Sequence, residues 1–359
     1  MSLTYYEIAV IAFTSLVFLG LLLISVVRGR DDHRPGNYSP HVTVIVPCRG
    51  KDLTLERNLR SLVSQDYGDY RVIAVVDSLD DPAVETIRRV GLELMVSDAR
   101  CEACSGKVRA IATVLERVRS EVYVFADSDA EMPPNWLRDL VAPLGDSETG
   151  LSTTFPIFYP MGGFWSHVKM AWGLVGMGLM ESRITRFGWG GSLAFRSEIM
   201  GQRELEFFKS GVSDDIAITK ICKAKGLKLA YVKSATPRVN SDDDFSTFIE
   251  WSNRETALSI SASSKIFTYG ITFYISHLFL IAMAAVLSIY ISPAFVILLL
   301  PISITIARNC QRAGRRDPLF VLCNLLVLPV YTYNLVKGRL MKEIVWRGRK
   351  YRLISPDFQ

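Results

Sequence analysis

Between Ile266 and Ala307 the chain runs 42 residues without a formal charge, and His277 is the sole imidazole in that stretch. A single helix of that length would measure roughly 63 Å, twice the thickness of a bilayer core. Pro293, following Tyr290-Ile-Ser, is the natural place to turn, so the stretch predicts two membrane spans. Two further apolar runs flank this pattern. Ile8 to Val27 is a charge-free stretch of 20 residues, enough for one span. It has no basic segment before it and no small-residue cleavage site after it, which predicts a retained anchor rather than a signal peptide. Pro318 to Val336 is a third C-terminal run, interrupted by Pro329.

Positive charge crowds the ends of these runs. Arg28, Arg30 and Arg34 follow the first, and Arg308, Arg312, Arg315 and Arg316 separate two later ones. Lys337, Arg339, Lys342, Arg347, Arg349, Lys350 and Arg352 fill the tail. This is the pattern of cytoplasmic flanks, so the intervening domain is expected on the cytoplasmic side. One N-terminal and three C-terminal spans would leave the basic tail outside. The expectation is therefore that one C-terminal segment, the one containing Pro329, is re-entrant or lies in the interface. With 49% hydrophobic residues and a mean hydropathy of +0.22, the chain is no disordered polyelectrolyte. A net charge of +5 is too small to argue for a nucleic-acid partner. The six cysteines are scattered, and Cys101-Glu-Ala-Cys104 lacks the second pair a zinc site needs. They read as incidental thiols of a reducing compartment.

From His41 to Lys265 the pattern changes to alternating strands and helices. Strands are expected at Val42–Val46, Tyr70–Val76, Leu92–Val96 and Val122–Ala126, with helices at Leu53–Val63, Pro82–Val90 and Lys107–Arg119. That is an α/β unit with a mainly parallel sheet, whose ligands bind beyond the carboxyl ends of the strands. Leu151 to Trp189 is rich in Phe, Trp, Met and Gly, and Met170 to Met180 carries no charge. A buried core helix and an interfacial segment touching lipid are both compatible with it. The expected organisation is an anchor over 1–28, a catalytic domain over 29–265, membrane helices over 266–336 and a basic cytoplasmic tail over 337–359.

The strand exits carry the chemistry. Asp77 follows the second strand, where a carboxylate can accept hydrogen bonds from a base or ribose. Ser105-Gly106-Lys107 opens a helix, a setting suited to a diphosphate, although the P-loop spacing is missing. Asp127-Ser128-Asp129 ends the fourth strand, and two carboxylates there suit Mg²⁺ or Mn²⁺ shared with substrate phosphates. Gly188-Trp-Gly-Gly-Ser192 permits close backbone approach to a ligand. Asp214 and Asp215 precede a helical pattern, as caps or as a general base.

Taken in this order, these motifs resemble a GT-A glycosyltransferase of the family-2 type. Val42-Thr-Val-Ile-Val-Pro47 is similar to that family's first strand, and Trp346-Arg-Gly-Arg-Lys-Tyr-Arg352 is similar to the C-terminal signature of ceramide glucosyltransferases and their prokaryotic relatives. The resemblance covers essentially the whole chain. It implies a Rossmann-like nucleotide-diphospho-sugar transferase domain with one N-terminal and two to three C-terminal membrane helices. It implies Asp215 as catalytic base, Asp127 and Asp129 as metal ligands, and Asp77 and Lys107 on the nucleotide and diphosphate. Pro47, Arg49, Ser128, Gly190, Gly191, Asp214, Trp251 and Arg254 would complete the donor site, with Ser192 beside the glycines. The family's (Q/R)xxRW motif is altered here to Thr247-Phe-Ile-Glu250-Trp251, with Arg254 three residues beyond.

The activity implied is that of an inverting hexosyltransferase. It would move one sugar from a nucleotide sugar, such as UDP-glucose, to a hydroxyl of ceramide or another lipid. A polyprenyl-phosphate glycosyltransferase and a processive polysaccharide synthase are the alternatives. The expected partners are the nucleotide-sugar donor, a divalent cation, a lipid acceptor and the plasma membrane of a prokaryote. Sugar, lipid and oligomeric state stay open.

Overall fold

The computed structural model describes residues 4–27, 29–33, 36, 38–101 and 104–353. Arg28 and Arg34 lie outside the described residues. The chain divides into two compact units. A catalytic unit comprises residues 29–166, 175–243 and 342–359, and a helical unit comprises 1–28, 167–174 and 244–341.

The catalytic unit is built on β1 (Val42–Pro47), β2 (Tyr70–Val76), β3 (Glu93–Val96) and β4 (Val122–Ala126), linked by α2 (Leu55–Val63), α3 (Ala83–Val90) and α4 (Gly106–Arg117). These strands pair in parallel, with Val44 registered against Val72 and Val124. Parallel strands are covered on both faces, which is why β1 and β4 are buried almost throughout and consist mainly of Val, Ile, Phe and Tyr, with Thr43 as the one polar side chain. Beyond β4 come β5 (Ala130–Glu131), α5 (Trp136–Val141), β6 (Thr149–Thr153), β7 (Ile157–Pro160), β8 (Ser192–Arg196), α7 (Gln202–Lys209), α8 (Asp214–Ala224), β9 (Lys228–Tyr231) and β10 (Arg238–Ser241). The seven-stranded sheet has the order β3-β2-β1-β4-β8-β6-β9, with β8 antiparallel to β4 and to β6. The chain steps from β1 outward to β3, then returns to the other side of β1 as β4. The crevice beyond the carboxyl ends of β1 and β4 is thus the topological switch point, where open α/β sheets bind ligands. The expected mixed α/β class, the four opening strands and the three helices between them are all present.

The last described segment forms β11 (Glu343–Trp346) and β12 (Arg349–Arg352), an antiparallel hairpin that belongs to the catalytic unit. Cys101 and Cys104 are joined as a disulfide, where two incidental thiols were expected. Their Cα atoms lie 5.8 Å apart, a spacing that suits such a bond.

The helical unit holds α1 (Tyr5–Val26), α9 (Phe245–Ala262), α10 (Ser264–Tyr290), a 3₁₀ segment (Pro293–Leu299) running into α11 (Leu300–Ala313), and α12 (Pro318–Leu340), with the middle of α6 (Phe164–Met180). Among the described residues four helical segments are long and apolar enough to cross a membrane: Tyr5–Val26, Lys265–Tyr290, Pro293–Ala313 and Pro318–Leu340. The break between the second and third falls at Pro293, as the charge-free stretch predicted. Pro329 does not interrupt α12, which runs past the last apolar residue to include Lys337 and Arg339. Cations in a last turn complement the helix dipole, so the helix ends later than hydropathy alone suggested.

Candidate active site

Four elements deliver side chains to the switch point. Strand β4 ends at Ala126 and hands over directly to Asp127, Ser128 and Asp129. Helix α4 begins at Gly106 because the Ser105 hydroxyl caps it, accepting from the Val108 N–H at 3.1 Å. That cap places Lys107 in the first turn, with its ammonium 2.6 Å from Asp127 Oδ1 and 3.3 Å from Asp214 Oδ2. Asp214 and Asp215 open α8, which is capped by Ser213. One lysine therefore draws the strand-exit acid and a helix-start acid to a single point, although they lie 87 positions apart in sequence.

The glycine-rich loop closes this cluster. Trp189 N–H donates to Thr153 Oγ1 at 3.0 Å, Gly188 N–H to Thr219 Oγ1 at 2.8 Å, and Trp136 Nε1 to Ser192 Oγ at 2.7 Å. Pinned by β6, α8 and α5, the loop lies against the carboxylates. A Cβ on Gly190 would stand 2.3 Å from Asp214 Oδ2, and one on Gly191 would stand 2.6 Å from Asp127 Oδ2. Only glycine fits there, because any side chain would displace an acid that Lys107 holds.

The two acids of the pair have different surroundings. Asp214 is 3% exposed. Burial pushes its carboxyl up, to about 7, with Asp215 and Asp127 acting the same way and Lys107 opposing. Burial would lower the Lys107 pKa, but Asp127 and Asp214 outweigh it and the net shift is upward. Asp215 is half-buried and is held by the backbone: Gly190 N–H donates to Oδ2 at 3.3 Å and Ile216 N–H to Oδ1 at 2.8 Å. The Ser213 hydroxyl donates to it as well.

Further acids and cations ring the crevice. Ser128, itself buried, donates its hydroxyl to Asp52, and its carbonyl accepts from Asn58 Nδ2 at 3.0 Å. Arg347, at the tip of the β11–β12 hairpin, donates to the Arg49 carbonyl and to Asp52 Oδ1 at 2.8 Å. Burial would lower its pKa, and Asp52, Asp129 and Asp127 together raise it instead. Arg349 lies 3.2 Å from Asp77 Oδ2.

The profile of glycosyl transferase family 21 matches residues 7–357. The chain belongs to that family. It is a glycosyltransferase that works on nucleotide sugars, on a GT-A fold. Among solved structures it is similar to the mannosyltransferase PcManGT from Pyrobaculum calidifontis in complex with GDP-Man and Mn²⁺, with 19% identity, 92% of this chain and 96% of that chain covered, and a TM-score of 0.53. It is also similar to glucosyl-3-phosphoglycerate synthase from Mycobacterium tuberculosis. The form with phosphoglyceric acid is 18% identical over 65% of this chain and 86% of that chain, with a TM-score of 0.43. The form with Mn²⁺ and UDP-glucose is 17% identical over 64% and 84%, with a TM-score of 0.42.

Within this family 21 glycosyltransferase, the structure brings together Lys107, Asp127, Asp214, Asp215, Gly190 and Gly191, with Ser192 at the end of the same loop. Pro47 ends β1, Arg49 presents its carbonyl to the hairpin, and Asp77 stands beyond β2. Trp251 and Arg254 belong to the helical unit and have partners of their own there. Trp251 packs edge-on against Trp172 with ring centroids 4.9 Å apart and lies under Lys169 Nζ at 4.5 Å, and Arg254 pairs with Glu255 at 3.0 Å. Sequence reading passed over Asp52, and it saw Arg347 and Arg349 only as tail charge and signature. The alternation Arg349, Tyr351 was the available signal, since residues two apart share one face of a strand, with Arg347 at the turn that precedes them.

Asp127 and Asp129 are hard oxygen donors at a strand exit. Among the described residues no group of three or more His, Cys, Asp or Glu side chains is arranged to hold a metal. Two carboxylates that need phosphate oxygens to complete the shell are what Mg²⁺ and Mn²⁺ take alongside a nucleotide, so the donor set fits a substrate-shared cation rather than an all-protein cage. The charge balance agrees. Asp52, Asp77, Asp127, Asp129, Asp214 and Asp215 outnumber Lys107, Arg347 and Arg349, and an anionic diphosphate needs more positive charge than the protein supplies.

Proposed function

We propose that this glycosyltransferase is a membrane-bound inverting hexosyltransferase that moves one sugar from a nucleoside diphosphate sugar to a lipid hydroxyl. The observation that carries the reading is the division of labour between the paired acids. Lys107 engages Asp214, while Asp215 is oriented by the Gly190 and Ile216 N–H groups on the half-buried side. An acid fixed by backbone donors at a ligand crevice is placed to take a proton from an acceptor hydroxyl. Asp215 does so as the acceptor oxygen attacks the sugar C1 and the bond to the diphosphate breaks, which inverts that centre. Asp77 receives the base or ribose. Lys107 stabilises negative charge on the departing diphosphate. Asp127 and Asp129 would hold a divalent cation, which when bound supplies further positive charge for that leaving group.

The acceptor reading rests on the helical unit. The catalytic strands and the β11–β12 hairpin are one compact unit, so they share one side of the membrane. An even number of crossings must then separate residue 243 from residue 342, yet three candidate spans lie between them. Contacts inside the helical unit support the reading that α12 is the one that does not cross. Arg308, near the end of α11, donates to the Val27 carbonyl just past α1 at 2.7 Å. Asn309 donates to Asn324 near the start of α12 at 2.7 Å. The end of α12 lies against α9, where Asn334 Nδ2 donates to Ser252 Oγ at 3.1 Å and to Asn253 Oδ1 at 2.8 Å. Both ends of α12 are thus tied to segments adjoining the catalytic unit in the chain, and the helix lies in the cytoplasmic interface. Basic flanks support the reading of a catalytic unit on that side, at the plasma membrane of a prokaryote. A helix at the headgroup level suits a membrane-resident acceptor.

The test is transfer from a panel of radiolabelled nucleotide sugars by purified protein in lipid vesicles with Mn²⁺ or Mg²⁺. Label should enter one extractable lipid, and EDTA and Asp215→Asn should each abolish it. An alkali-stable glycoside identifies a hydroxyl acceptor. Label in a polymer or in an acid-labile polyprenyl phosphate product, or full activity in Asp215→Asn, would overturn the proposal.

A further inference from the structure

The proposed chemistry leaves one element of the catalytic unit without a role. The β11–β12 hairpin is two four-residue strands, and a hairpin that short is marginal in water by itself. Contacts from one face hold it. Arg347 reaches the Arg49 carbonyl and Asp52 beyond β1, Arg349 reaches Asp77 beyond β2, and the Tyr351 hydroxyl accepts from the Gly106 N–H at the start of α4 at 3.4 Å. Each of these partners lies at a strand exit or helix start of the ligand crevice. The backbone at the tip is unusual. Arg347 and Gly348 have φ of 46° and 78°, the paired left-handed values of a two-residue hairpin turn. Asn or Asp normally precedes the glycine in such turns. An arginine held there despite its side chain is the kind of outlier that accompanies function. At Gly106, a Cβ would stand 3.2 Å from an Arg349 guanidinium nitrogen and 3.9 Å from Asp77 Oδ2, so guanidinium, carboxylate and helix start converge on one point.

We infer that the hairpin is a strap completing the donor site, with Arg347 and Arg349 taking the diphosphate oxygens of the nucleoside diphosphate sugar. The inference rests on the nucleotide-sugar reading above. A guanidinium presents a planar fork of donors that matches phosphate oxygens in pairs. Without donor the two forks rest on Asp52 and Asp77. When a diphosphate takes Arg349, Asp77 is released to accept from the base or ribose. The nucleoside half of the site therefore opens only for a ligand that carries the diphosphate.

The experiment is calorimetric titration of the full-length protein in detergent, with Mn²⁺, using UDP, GDP, UMP and GMP. Wild type should prefer a diphosphate to its monophosphate. In R347Q/R349Q the affinity for that diphosphate should fall by about tenfold or more, while the monophosphate changes by less than about threefold. R347K/R349K, which keeps the charge but not the fork, should lie between. A variant with a wild-type melting midpoint and an unchanged diphosphate preference overturns the strap. Should the glutamine variant not fold, tryptic cleavage of wild type after Arg347 and Arg349 decides. Protection by the bound diphosphate supports the strap, and unchanged cleavage at saturation overturns it. Wild type that binds neither diphosphate sinks the transferase proposal and the strap together, whereas binding without dependence on the arginines sinks the strap alone.

Discussion

Lys107 is the residue on which the site turns. Its ammonium is the shared counter-ion of Asp127 and Asp214, with its side chain only 12% exposed. Lys107→Met would leave the buried Asp214 and the half-buried Asp127 without the cation they share. Breaking a buried pair in this way costs roughly 3–5 kcal/mol. The variant should lose transfer activity and melt well below wild type by differential scanning fluorimetry. Lys107→Arg should recover part of the melting midpoint, because charge is restored, but little activity. The glycines beside it act by shape alone. Gly191→Ala puts a Cβ 2.2 Å from the Trp189 ring and 2.6 Å from Asp127 Oδ2, so transfer should fall by at least about tenfold, further than the loss in melting midpoint from displacing the ring would explain. A midpoint that drops as far as the activity would show that the loop serves folding and not geometry.

At the scale of elements, α12 is joined to its neighbours by polar groups as well as by packing. Asn334 is fully buried. Its Oδ1 accepts from Trp172 Nε1 at 3.0 Å, and its amide donates to α9. Asn334→Leu would strand these partners at about 1–3 kcal/mol each. The expected result is a lower melting midpoint in detergent, with donor binding by the catalytic unit unchanged. A second joint is sensitive to pH. His167 on α6 accepts at Nδ1 from Arg315 at 2.8 Å, in the loop between α11 and α12, with Asp317 also in its field. Burial and then the Arg315 charge hold the imidazole pKa below 6.5. A depressed folded pKa means the neutral form is the one the fold favours. Its contribution to stability is complete above pH 6.5 and is lost as pH falls through the lower folded value. Melting midpoints taken from pH 8 to pH 5 should fall at the acid end, and His167→Gln should flatten that fall.

For the whole molecule, the distinctive expectation is three crossings from four candidate helices, with two of the three candidates between residues 243 and 342 crossing. Single cysteines at Ser292, Arg316 and Met341, in a background where the half-buried Cys101–Cys104 pair is replaced by serine, test this in sealed cells. A membrane-impermeant maleimide added outside should label only the position-292 variant, and the other two should react after permeabilisation. Outside labelling at position 341 would mean that α12 crosses, and the hairpin could not then share a side with the catalytic strands.

Much of this was legible before any coordinates. The parallel strands are buried on both faces, so β1, β2 and β4 read as largely apolar runs, broken only by Thr43 in β1 and Arg71 near the start of β2, and the acids at the exits of β2 and β4 stand out because charge follows directly on a buried strand. Asp77, Asp127 and Lys107 were visible for that reason. The turn at Pro293 was visible because a charge-free stretch cannot exceed twice the bilayer without one. These are local facts, set by residues within a few positions of one another. The tertiary structure alone decided which acid of the pair meets Lys107, that Asp52 takes part, and that Arg347 and Arg349, some three hundred positions downstream of Arg49 and Asp52, lie over the crevice. No periodicity reports such pairings, because an ion pair depends on where the fold carries two charges and not on the residues beside each of them.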